Sequence, residues 1–183
     1  MDRLNPRARR DRYGTKINRD HSRILIYGVP WVTILLMSLA PMLPVIASSP
    51  ILPPLGYLSF LAWRLVRPGL LPLWAGIPLG FWDDLFSGQP LGGGIMLWSL
   101  TLLAIEIVEE RFPWRSFLQD WLTAALLIVI YIVSSTLFAG ILPSLHFLYL
   151  MGPVLILSLL AYPIIARLVA GLDSVRLLRM RVL

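Results

Sequence analysis

The chain has 183 residues, 57% of them hydrophobic and 14% charged, with a mean hydropathy of +0.76. A soluble domain carries about 25% charged residues, so the balance excludes an ordinary soluble domain and points to an integral membrane protein. The absence of cysteine excludes a disulfide framework, a thiolate metal site and a cysteine nucleophile, and the formal net charge of +6 is informative through its placement.

Residues 1–23 are polar, with eight basic residues against three acids. They read as a mostly disordered, basic cytoplasmic tail facing anionic lipid, since each Lys or Arg beside a membrane adds roughly 1 kcal/mol of attraction. Tyr13 and His21 are its only rings, too few for a nucleic-acid arm, and no nucleic-acid partner is expected. Ile24–Ala47 then runs 24 residues without a charge, enough for a hydrocarbon core about 30 Å thick. A cleaved signal peptide is not expected, because this apolar run exceeds a typical h-region and further spans follow it. Ile51–Trp63, continuing to Val66, makes a short second span. Gly69–Trp82 makes a third, interrupted by Pro72 and Pro78. Being short and rich in Pro and Gly, these two read as tilted spans, half-helices or one re-entrant hairpin. Leu91–Val108, Trp121–Ile141 and Phe147–Ala170 complete six, and residues 171–183 read as a basic cytoplasmic tail.

Charge placement orients this arrangement. With the N-terminus inside, the inside segments are 1–23, 64–68, 109–120 and 167–183, and together they hold all 16 Lys and Arg residues. The outside loops near 48–50, 83–90 and 142–146 hold none. The positive-inside rule thus selects six spans with both termini cytoplasmic, and a five-span arrangement breaks it. The expected fold class is an all-α integral membrane protein with a six-span domain over 24–170.

The stretch 80–94, GFWDDLFSGQPLGGG, sets Asp83 and Asp84 between apolar runs at the outer end of span three. The pair lacks the third acid of a DDxxD pyrophosphate–magnesium motif, and no second acid-rich motif accompanies it. Mg²⁺ needs more oxygen ligands than two neighbouring acids supply, so no metal or cofactor is expected. Such an acid accepts hydrogen bonds from the free N–H groups of the next helix, or is solvated. Gly76 and Gly80 form a GxxxG pair, and Gly88 and Gly92 repeat the spacing. Small residues let helices approach closely in lipid, and Pro90 suits a helix start. The segment therefore reads as a tight helix–loop–helix hairpin in which a bulky residue at Gly92 would push spans three and four apart. Glu106 is expected to snorkel or to pair with Arg111 or Arg115. Phe112, Trp114, Phe117 and Trp121 fit an interfacial aromatic belt. Ser134 and Ser135 lack a nucleophile context, and no catalytic set emerges.

A small six-span chain with a basic N-terminus and the pattern Gly80, Asp84, Gly88, Leu91–Gly92 resembles the bacterial rod shape-determining MreD family. Asp84 takes the family's acid position, Asp83 looks like an addition, and the basic tail is longer than the family's. The resemblance implies a fold similar to the substrate-binding subunits of energy-coupling-factor vitamin transporters. It also implies a non-enzymatic scaffold of the cell-elongation, peptidoglycan-synthesising complex, which maintains rod shape. Its implied partners are an MreC-like bitopic protein and, indirectly, wall transpeptidase and polymerase and MreB filaments, with a second copy of the chain left open. The implied contact hairpin comprises Gly76, Gly80, Asp83, Asp84, Gly88, Pro90, Leu91 and Gly92. The rival reading is a membrane-embedded, vitamin-binding transporter subunit, with Asp83, Asp84, Gln89 and His146 lining an outward pocket.

Overall fold

In the computed structural model, residues 23–42, 52–111, 116–140 and 145–176 are described. They form six α-helices and, among the described residues, no strand. The helices are α1 (Arg23–Met37), α2 (Leu55–Val66), α3 (Gly76–Ser87), α4 (Gly93–Arg111), α5 (Phe117–Phe138) and α6 (Leu145–Arg176). Short 3₁₀ turns at Ala40–Met42 and Leu73–Ala75 follow α1 and precede α3. The basic tail at 1–22, Arg115, Trp114 and Phe112 lie outside the described residues, and the C-terminal tail read from 171 begins inside α6, which continues to Arg176.

The prolines decide where the short helices start. Pro72 stands ahead of the 3₁₀ turn, and α3 begins only at Gly76, later than the span read from 69. Pro78 falls in the first turn of α3, where its missing N–H has no intrahelical acceptor to lose. Both α2 and α3 are 12 residues long, about 18 Å at 1.5 Å per residue, well short of a full hydrocarbon core. The segments α5 and α6 differ: Leu118–Phe138 and Met151–Ser174 are each long and apolar enough to cross a membrane.

Helix α2 is the hub. Every residue from Gly56 to Leu65 is buried, which explains a run with no polar stripe. It packs on α1, α5 and α6, while α1, α3, α4, α5 and α6 touch in turn around it. Trp63 Nε1 donates to Thr33 Oγ1 of α1 at 2.8 Å, and Trp82 Nε1 of α3 donates to the Leu35 carbonyl at 3.3 Å. The outward faces are apolar as well. Leu122, Leu126 and Ile130 on α5 and Ile156, Leu160 and Ile164 on α6 are all exposed.

The two ends of the bundle carry different charges. At one end Arg64 of α2 meets Glu109 of α4 at 2.9 Å, and Arg67 meets Asp173 of α6 at 2.6 Å. At the other lie Asp83 and Asp84, both buried in the last turns of α3. The sequence-based pairing of Glu106 with Arg111 does not form. The cation that reaches the end of α4 comes from α2 and takes Glu109, while Arg111 is exposed.

Helices α3 and α4 are in backbone contact. A Cβ added at Gly76 would lie 2.8 Å from the Ser99 backbone, and one at Gly80 would lie 2.7 Å from the Gly94 carbonyl oxygen. Neither neighbour is a movable side-chain tip. Gly80→Ala is therefore expected to destabilise by about 2 kcal/mol through overpacking, lowering Tm by about 4–8 °C. Gly28→Ala, where nothing lies within 4 Å, is the control. Thermal unfolding in detergent checks both, and an unchanged Tm for Gly80→Ala would contradict the close approach.

Candidate functional site

The start of α4 has a complete hydrogen-bond account. A helix begins with N–H groups that have no intrahelical acceptor. Asp84 Oδ1 accepts from Gly94 N at 2.7 Å, and Asp84 Oδ2 accepts from Gly92 N at 2.8 Å and, longer, from Ile95 N at 3.4 Å. Gly93 N donates to the Pro90 carbonyl at 3.1 Å, and the first bond of the helix runs from Met96 N to the Gly92 carbonyl at 3.0 Å. One carboxylate from the end of α3 thus caps the next helix. It also lies at the positive end of that helix's dipole. The acid is 3% exposed, so it is part of the interior.

The local sequence explains how a side chain from one helix reaches the end of another. Gly76, Gly80 and Asp84 are spaced by four and share one face of α3. The two glycines bring α4 close enough for the Asp84 carboxylate to reach its amides. Gly94 completes the fit: a Cβ there would collide with Asp84 Oδ1 and stand 2.9 Å from the Gly80 carbonyl. Gly88 closes α3 in the left-handed conformation with φ of +70°, and Gly92 adopts φ of +99°.

This geometry corrects several expectations. Asp83 and Asp84 lie inside α3, which runs to Ser87, rather than in a loop over 83–90. Gly92 does not separate α3 from α4 by packing, since a Cβ there meets nothing within 4 Å; its requirement is the positive φ. Pro90 precedes α4 by three residues and contributes its carbonyl. Leu91 is 71% exposed at the tip of the hairpin.

Asp83 faces another way, into the junction of α1, α2 and α5. Its Oδ2 accepts from the Tyr131 hydroxyl of α5 at 3.3 Å, and that hydroxyl in turn accepts from Gln89 Nε2 at 3.3 Å. Over Gly56 of α2, Asp83 Oδ1 approaches Ser38, the residue after α1. Tyr131 stacks on Tyr57 at 3.8 Å between centroids, and the Tyr57 hydroxyl shares a 2.9 Å hydrogen bond with Thr101 Oγ1. The edge of Trp98 closes the cluster at 6.0 Å from Tyr57. Sequence reading missed Ser38, Tyr57, Thr101 and Tyr131. Their signal was present: hydroxyl groups inside apolar runs, each needing a partner in a dry interior.

An outward binding pocket needs its polar groups turned to a cavity. Asp84 instead faces the α4 amides, the Gln89 amide nitrogen bonds Tyr131, and the His146 side chain lies outside the described residues. A concavity lies at the opposite end, lined by Leu65, Ile105, Val108, Glu109, Gln119, Asp120 and Thr123.

Removing the cap tests its weight. Asp84→Ala strands three N–H groups and is expected to cost about 2–3 kcal/mol, the upper range for charge-assisted bonds. Asp84→Asn keeps one acceptor and is expected to cost about half as much. Gly92→Ala is expected to cost about 1 kcal/mol through backbone strain. Chemical unfolding of the three variants checks the order, and an Asp84→Ala protein as stable as wild type would contradict the cap. No protein-family model, no curated protein and no solved structure matches this chain.

Proposed function

We propose that the chain is a multi-pass membrane protein that serves as a non-enzymatic scaffold in a cell-elongation complex, in the manner of the MreD family. The membrane part of this reading is supported by the apolar outward faces of the helices, because contiguous apolar surface of this extent marks burial in lipid or in a partner. It is also supported by the charge distribution. The ion-paired Arg64 and Arg67, at the end of α2 and its cap, stand at the end of the bundle where α6 finishes, and the basic residues 1–22 precede α1. Both termini are accordingly assigned to the cytoplasmic side, and the α3–α4 hairpin to the opposite, outer side of the inner membrane.

The observation that carries the scaffold reading is the hairpin itself. Its acid is engaged by backbone amides, which favours a fixed shape over chemistry. Its tip presents Leu91, α3 presents Ile77, Phe81 and Leu85 outward along one face, and Trp74 of the preceding 3₁₀ turn is exposed as well. A preformed corner with an apolar flank suits docking of a membrane-anchored partner at little ordering cost. The proposed partner is an MreC-like bitopic protein, which would link the chain to wall transpeptidase, polymerase and MreB filaments.

Affinity purification from native membranes in mild detergent, with mass spectrometry of proteins and small molecules, tests the reading. A bitopic partner with wall-synthesis enzymes is the expected yield. Recovery of that partner is expected to fall about tenfold with Asp84→Ala, equivalent to about 1.4 kcal/mol, and less with Asp83→Ala. Undiminished recovery with Asp84→Ala would remove the hairpin from the interface. A bound vitamin-like molecule with transporter ATPases would replace the scaffold by a transporter subunit.

A further inference from the structure

We propose that α3 and the segment 68–75 leading into it draw phospholipid headgroups and water inward along the α1–α3–α4 side of the bundle, so that the chain thins the bilayer there. The inference rests on the membrane part of the reading above and not on the scaffold. Depth along the bundle is the first observation. Arg64 and Arg67, at the end of α2 and its cap, pair with Glu109 of α4 and Asp173 of α6. A Cβ at Gly76 would stand 2.8 Å from the Ser99 backbone, so α3 begins level with Ser99. From Ser99, α4 runs on to Arg111, about 18 Å further. Helix α3 therefore occupies only the outer part of the layer that α4 crosses. At 12 residues it is about 18 Å long, close to one leaflet of a core about 30 Å thick.

Residues 68–75 bridge the gap without an α-helix. Pro68 and Pro72 have no N–H to give, and Gly69 turns with φ of +78°. Leu70 N donates to the Arg67 carbonyl at 3.3 Å and Ala75 N to the Pro72 carbonyl at 2.9 Å. Leu71 anchors the segment in the core, but Pro68, Gly69, Leu73 and Trp74 are exposed. Irregular backbone is not viable against lipid tails; at membrane depth it persists only where protein or water covers its polar groups. Water and headgroups supply that cover when the leaflet dips to meet the segment, as bilayers do beside a short hydrophobic span. The side chains agree. Trp74, 61% exposed, lies 5.6 Å from Trp31 of α1 between ring centroids, and tryptophans favour the headgroup level over the bilayer centre. Arg67, half exposed beside its Asp173 partner, stands at the mouth of the dip.

The chain has no cysteine, so single-cysteine variants of the full chain each report one position. Leu73→Cys and Leu126→Cys are compared in nanodiscs of phosphatidylethanolamine and phosphatidylglycerol, with a charged, water-soluble maleimide. Both residues are exposed on the bundle, and they share a depth. Leu73 lies about one turn from Gly76 toward the arginine end, past Ser99. Leu126 adjoins Leu127, whose carbonyl meets the same Tyr57 hydroxyl as Thr101 Oγ1. The thiolate is the reacting form and is suppressed in an apolar medium, so Leu73→Cys is expected to react about tenfold faster than Leu126→Cys. Equally slow reaction at both positions would overturn the thinning and leave the membrane reading standing. Equally fast reaction at both would overturn the membrane reading and the thinning with it. Should Leu73→Cys fail to fold, Trp74→Cys at the neighbouring exposed position gives the same readout. Labelling in nanodiscs with protection in native membranes would assign the segment to a protein partner and overturn the headgroups as its cover.

Discussion

The carboxylate of Asp84 on the first amides of α4 is the interaction around which the rest of the hairpin is arranged. A helix whose first turn is packed against a neighbouring helix must find acceptors for its leading N–H groups. Here a single acid from the preceding helix accepts from Gly92, Gly94 and Ile95. An aspartate is short, so the two backbones must come nearly into contact. That explains why Gly76, Gly80 and Gly94 stand where any Cβ would strike backbone or the carboxylate itself. The glycines and the acid are one device, and a change in any of them loads the others.

The opposite end is held by a different kind of contact. Arg64 in the last turn of α2 and Arg67 at its C-terminal cap reach acids on α4 and α6. The central helix is too short to cross a hydrocarbon core and almost wholly enclosed, so its own ends are where polar groups can find partners. Among the described residues the ion pairs and the buried acids stand at the two ends of the bundle, and the layer between them is largely apolar. This arrangement suits a bilayer, in which helices gain from close packing and polar closure rather than from exclusion of water.

A corner whose leading helix amides are answered by one buried carboxylate is suited to holding a shape. The same fact bears on the two acids unequally. Asp84 is answered by backbone donors, whereas Asp83 is answered by side-chain hydroxyls, that of Tyr131 at 3.3 Å and that of Ser38. Adjacent residues on a helix point about 100° apart, so one acid builds the hairpin while its neighbour enters the core. The division follows from helix geometry and needs no difference in chemistry between two identical side chains.

The six helices were legible because apolar runs separated by charged or Pro/Gly-rich segments are a local property of the chain. Also legible was the relation of Gly76, Gly80, Asp84 and Gly88, since four-residue spacing sets one face of a helix. The sequence did not reveal that Asp84 would reach past Gly92 to Gly94, or that Gly92 is required for its backbone angle while Gly80 is required for its lack of a Cβ. Nor did it show that Tyr57 and Tyr131, 74 positions apart in the chain, would stack above Asp83. Those outcomes depend on which helix faces meet, and long-range pairing leaves no periodic trace in a single sequence. Hydropathy and charge placement, being sums over neighbouring residues, determined how many helices form and where charge is permitted. Tertiary packing, which sets distances between residues remote in the chain, decided which partner each buried polar group found.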